Sequence, residues 1–221
     1  MRRRVLILAM VIGQAWAPIL QAQRVVDRIV VRIEDDIIAQ SEVRELGRFQ
    51  QLAMGAEAGA RSELPGDVEL IGRLIDQWIV AAEATASRFP QPKMEESQKE
   101  VERLAAQFSS PEKYLERLKE LELTPESVLQ HIERQIFLAR YLDYKLRPAS
   151  HVESAQVEKY YREDLLPELR KRGQDVPALE SVEEQIRELL TQREISTRAA
   201  KWLEETRARL KIDIVGKKNT P

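Results

Sequence analysis

Apolar and polar residues alternate near the start of the chain and then settle into helical spacing. Between Val25 and Ala39, the residues Val26, Ile29, Val30, Val31, Ile33, Ile37 and Ile38 flank Glu34-Asp35-Asp36. This predicts two short strands around a tight acidic turn. Ser41 then stands where an N-cap belongs, and Val43, Leu46, Phe49, Gln50 and Ala53 follow at helical spacing, predicting a first helix from Ser41 to Met54. Gly55 to Gly66, with Pro65 and little apolar content, reads as a mobile loop. Ile71, Leu74, Ile75, Trp78, Ile79 and Ala82 form one apolar stripe, the mark of an amphipathic helix. That helix should end near Phe89, ahead of Pro90 and Pro92.

A further helix is predicted from Met94 to Phe108, with Val101, Leu104, Ala105 and Phe108 on one face. Ser110-Pro111 and Thr124-Pro125 each place a capping side chain before a proline, a double start signal. The first opens a short helix carrying Tyr114, Leu115 and Leu118. The second opens a long one whose stripe is Leu129, Ile132, Ile136, Ala139 and Asp143, widened by Phe137, Tyr141 and Leu142. It should stop near Leu146, because Pro148 disfavours helical geometry at Arg147. Val152 to Leu166 reads as another helix, closed by Pro167, and residues 167–180, with Gly173 and Pro177, read as a connector. Ser181-Val182-Glu183-Glu184 has the form of a capping box and opens a closing helix of about thirty residues with Val182, Ile186, Leu189, Leu190, Ala199, Ala200, Trp202, Leu203 and Leu210. Lys211-Ile212-Asp213-Ile214-Val215 alternates like a strand, and a lone terminal strand needs a backbone partner. The two chain ends are therefore expected to meet in a small sheet, with pairing between two chains as the alternative.

The first residues change the picture of where the protein works. Arg2, Arg3 and Arg4 precede an apolar run from Val5 to Ile12, and small or polar residues lead to Leu20-Gln21-Ala22. This is the layout of a secretory signal peptide of residues 1–22, cleaved before Gln23. The run is short of the roughly 20 residues that cross a bilayer, although extending it through Trp16 to Leu20 leaves an uncleaved anchor as a second reading. No later segment is apolar enough to span a membrane.

The chain has 221 residues, 8 Gly and no Cys, and is 43% hydrophobic. Without cysteine there is no disulfide, thiolate metal site or cysteine nucleophile, so an exported fold must rest on its core. Taking the three leader arginines from 35 basic residues leaves 32 against 37 acidic ones, a net charge near -5, which argues against nucleic acid as a partner. No glycine-rich loop ending in Lys-Ser or Lys-Thr is present, so no nucleotide is expected. His131 and His151 lie among charged helix residues without a nucleophile beside them. The Glu pairs at 95–96, 183–184 and 204–205 alternate with Lys and Arg as a solvated helix face does. The expectation is a non-enzyme without metal or other cofactor.

The order of the pieces resembles the SurA family of periplasmic chaperones. Val25-Val26-Asp27-Arg28-Ile29-Val30-Val31, an acidic turn and Ile37-Ile38-Ala39-Gln40-Ser41-Glu42-Val43 look like that family's opening hairpin and first helix. Leu74 to Ile79 resembles its second helix, and Tyr114 to Arg134 its helical pair with Thr-Pro-Glu. Val152, Val157 and Tyr160-Tyr161 resemble the helix that leads into a parvulin-type isomerase domain. Val182 to Leu190, Trp202-Leu203 and Lys211 to Ile214 resemble the closing helix and strand. The departure is that only Asp164 to Glu180 occupies the place of the isomerase domain, too little for a parvulin site.

The resemblance implies a mainly α fold: a multi-helix chaperone core with a small sheet formed by the N-terminal hairpin and the C-terminal strand. It would be one domain over 23–216, with a helical body 41–166, a connector 167–180, a closing helix and strand 181–216, and a tail 217–221. The implied function is ATP-independent holding, in the periplasm, of unfolded or extended polypeptides such as precursors of outer-membrane proteins, without isomerase activity and as a monomer. Trp78, Phe108, Tyr114, Leu118, Phe137 and Tyr141 are the candidates for a peptide-binding groove, although aromatic side chains at such positions are more often core than binding residues. The alternative from another class is an assembly factor that binds a single folded partner.

Overall fold

The computed structural model describes residues 27–55 and 66–215. The expected leader, most of the expected mobile loop and the tail lie outside them. β1 (Ile29–Ile33) and β2 (Asp36–Ala39) form an antiparallel hairpin, with Val31 opposite Ile38 and Ile33 opposite Asp36. β3 (Ile212–Ile214) pairs antiparallel to the other edge of β1, Val31 opposite Ile214 and Ile33 opposite Ile212, giving the order β2-β1-β3. The expected meeting of the two ends is present. Glu34 ties it down: its backbone N–H donates to the Lys211 carbonyl at 3.0 Å, and its carboxylate accepts from the Lys211 N–H at 2.7 Å.

The rest is helical. α1 (Gln40–Ala53), α2 (Asp67–Ala86), α3 (Met94–Ala105), α4 (Pro111–Glu120) and α5 (Pro125–Leu146) match the predicted stripes. A single 3-10 turn at Arg147–Ala149 follows. Ser110 and Thr124 cap as expected, accepting from the backbone N–H of Lys113 at 3.3 Å and of Ser127 at 3.1 Å. α2 ends two to three residues short of Phe89 because Arg88 turns left-handed, φ 53°. The N–H of Phe89 then reaches back to the Ala84 carbonyl at 2.9 Å, which satisfies the last turn.

Three start and stop signals read differently in the structure. Ser41 lies one residue inside α1, and its hydroxyl bonds the Asp27 carboxylate; Ala39 is the N-cap, and Glu42 accepts its backbone N–H at 2.7 Å. Ser181 likewise lies inside α8 (Leu179–Arg207), donating to the Ala178 carbonyl at 2.7 Å, so no capping box forms there. Pro167 does not close the preceding helix. α6 (Ser154–Tyr160) runs through a π-helical turn at Tyr161–Leu165 into α7 (Leu166–Lys171). The wider turn gives the proline ring room and reroutes hydrogen bonding around its missing N–H, and α7 takes up the first part of the expected connector.

Four apolar clusters hold these elements. The sheet, α1 and α2 bury Val31, Ile33, Val43, Leu46, Leu74, Ile75 and Ile79, with Trp202, Leu210, Ile212 and Ile214 packed alongside. α1, α3, α4 and α5 enclose Phe49, Leu52, Phe108, Tyr114, Leu118 and Val128. Val80, Ala84, Phe137, Leu138 and Tyr141 join α2 to α5. Val152, Val157 and Ile186 form a small separate lobe with α6 and the first half of α8. Among the described residues, no helix is long and apolar enough to cross a membrane.

Candidate functional site

The six candidate binding residues do not converge. Phe108, Tyr114 and Leu118 are buried together under α4, while Phe137 (6% exposed) and Tyr141 (2%) lie between α2 and α5. Trp78 is half-buried on α2, where its indole N–H donates to the Asp36 carboxylate at 2.9 Å and pins the hairpin turn. Their size and apolar character recruited them to the core, where each contributes area rather than an open surface.

The open apolar surface runs along α5. Three adjoining depressions, about 350, 690 and 620 Å³, share Ala139 on their border. The floor is the stripe Ile132, Ile136, Ala139 and Leu142. One wall is Phe49 and Ala53 from α1, Leu104 from α3 and Gln107 from the turn after it. The other is Ile195, Ala199 and Leu203 from α8, which lies antiparallel to α5. Small side chains at Ala139, Ser196, Ala199 and Ala200 keep the middle shallow and open. The stripe on α5 was readable as helix periodicity; its use as a floor was not, because periodicity says which face is apolar and not what covers it.

The rims are charged, and apart from Glu204 the charged residues that line them are paired. Arg140 donates to Glu96 at 2.7 Å, and Arg103 forks onto Glu100 at 2.9 Å. Arg147 is shared between Asp143 and Glu188. Hydrogen bonds from Arg147 and then Gln192 hold the Glu188 carboxyl down at about 2, and the Arg147 bonds likewise lower Asp143. At the far end, Arg207 donates to Asp76 at 2.9 Å and to the Gly72 carbonyl at 2.6 Å. Burial still pushes the Asp76 carboxyl above its ordinary value, against the pull of Arg207.

Behind the Phe49 end, His131 stacks on that ring at 4.8 Å with Nε2 3.2 Å from Glu45. Burial depresses the His131 pKa, outweighing Glu45. Among the described residues, no three or more His, Asp or Glu side chains gather as a metal site. What the trough offers is open apolar surface between charged rims.

Compared with protein-family models and with curated proteins, the chain finds no match.

Proposed function

We propose that this protein is a holding chaperone of the bacterial cell envelope, which shelters unfolded precursors of outer-membrane proteins without ATP and without isomerase activity. The observation that supports this reading is the trough along α5: long, apolar, shallow, and bordered by charges most of which are paired with one another. Such a surface takes large side chains from an extended segment without demanding a particular charge. Alternating apolar residues are what outer-membrane strands present. The leader-like residues 2–22 and the SurA-like order of segments support the periplasm as the place and the family as the kin.

Burying one large apolar side chain is worth roughly 1.5–3 kcal/mol. Two to four of them, after the cost of association, give binding of about micromolar strength. That is tight enough to hold a client and weak enough to release it unaided.

The test is an anisotropy titration of the chain from residue 23 onward against labelled aromatic-rich outer-membrane segments and a polar control. Micromolar binding of the aromatic segments alone is the expected result. No binding to any segment would overturn the reading in favour of an assembly factor with one folded partner.

A further inference from the structure

The charges along the trough are not balanced in what they leave free. Four acidic and four basic side chains line the three depressions. Every guanidinium among them is engaged. Arg103 is held by Glu100 and Arg207 by Asp76, within the lining itself. Arg140 is drawn to Glu96, and Arg147 is divided between Asp143 and Glu188. Glu96 and Glu188 stand just behind the lining, so with them six carboxylates share four guanidiniums. A carboxylate arriving on a bound segment finds no free cation on this border.

The surplus of negative charge sits at two places. Glu204, on α8 next to Leu203 in the lining, is exposed, and its carboxylate has no partner among the described residues. The other place is the Arg147 contact, where one guanidinium serves two carboxylates. Gln192 bridges those carboxylates, donating to Asp143 at 3.3 Å and to Glu188 at 2.9 Å. The bonds from Arg147 lower both carboxyls, so both are ionised at neutral pH. Gln192 and Glu204 are 12 residues apart on α8, about 18 Å along the helix. An extended chain covers that distance in about five or six residues. Between the two places the wall is Ile195 and Ala199, facing Ala139 and Leu142 of α5.

On the reading that the trough holds clients, we propose that it prefers those in which an apolar stretch of about five or six residues is flanked on both sides by Lys or Arg. The apolar wall and floor do the holding, which needs no charge. One flanking cation then reaches Glu204, and the other reaches Asp143 and Glu188. Acidic flanks meet the same carboxylates and are repelled.

The experiment is an anisotropy titration of the protein and of Glu204→Lys with three labelled peptides. They share one aromatic-rich core of about six residues and carry Lys, Gln or Glu at both ends. Binding to the unaltered protein should tighten in the order Glu, Gln, Lys, with Lys flanks about tenfold better than Glu flanks. Added sodium chloride should shrink that difference while the Gln peptide stays bound, because salt screens charges and not apolar contact. In Glu204→Lys, whose fold circular dichroism melting checks, the advantage of Lys flanks should vanish. Equal binding of the three peptides, a preference for Glu flanks, or a Lys preference untouched by Glu204→Lys would each overturn the proposal and leave the holding function standing. No binding of any of the three would overturn both.

Discussion

Arg147 and Glu188 meet in a two-point contact: Nη1 donates to Oε2 at 2.9 Å and Nη2 to Oε1 at 2.8 Å, so the end of α5 is locked to the middle of α8. The same guanidinium turns its remaining edge to Asp143, on the trough's rim. Planar bidentate geometry fixes orientation as well as distance, which sets the width of the opening between the two helices.

This contact gives the acid limb of the stability curve a definite place. The folded-state carboxyl of Glu188 is held at about 2 against an ordinary 4.5. Its contribution is therefore present above pH 4.5 and is lost as pH falls from there toward 2. Glu188→Gln should give a shallower decline across that window than the unaltered protein, in urea melts at a series of pH values. Identical slopes would mean that the contact carries no linkage.

His131 acts in a higher window with the same sign. Burial lowers its folded-state pKa below 6.5, so the unfolded chain takes up a proton first as pH falls. Stability should drop as pH falls from 6.5 toward that lowered value, and His131→Gln should flatten this part of the curve. Histidine NMR titration checks the direction: an imidazole titrating above 6.5 would contradict it.

Phe137 and Ala139 are two residues apart on α5 and should behave oppositely when changed. Phe137 is buried between α2 and α5, so Phe137→Ala should cost about 3–5 kcal/mol of stability. Ala139 lies exposed on the trough floor, so Ala139→Asp should cost under about 1 kcal/mol while weakening client binding at least tenfold. Denaturant melts and the anisotropy titration measure the two effects side by side.

Ending the chain at Leu210 removes Ile212 and Ile214 from the first apolar cluster and uncovers Val31 and Ile33. The two isoleucines are half-buried, so a loss of roughly 2–4 kcal/mol is expected. A melting curve unchanged by the truncation would show that β3 contributes nothing to the fold.

Much of this architecture could be read before any coordinates. Ser110-Pro111 and Thr124-Pro125 marked their helices correctly because a capping side chain and a proline make the same demand on the backbone. The terminal sheet followed from two alternating segments, each unable to satisfy its backbone alone. Ser41 and Ser181 misled for a different reason. A serine near a helix start has several partners within reach, and here the Asp27 carboxylate and the Ala178 carbonyl took the hydroxyls. Pro167 misled because a π-helical turn is a tertiary accommodation that local propensity does not encode.

The trough was the least legible feature. Ile132, Ile136 and Ala139 were visible as a stripe, but whether α8 closes over that stripe or stands off from it depends on contacts distant in sequence. Arg147 with Glu188 and Gln192 with Asp143 are two such contacts. The bulky aromatics drew attention away from it, since size marks a residue for burial as readily as for binding.

The bond between Glu34 and Lys211 spans almost the whole described chain. A polypeptide made from its N-terminus carries the edge of β1 open until Ile214 has emerged, so the fold closes only after about 180 intervening residues have been made. Closing so long a loop before its contacts reward it slows folding. A chain that stays unclosed for so long remains threadable, which is the state in which a polypeptide can pass through a narrow channel.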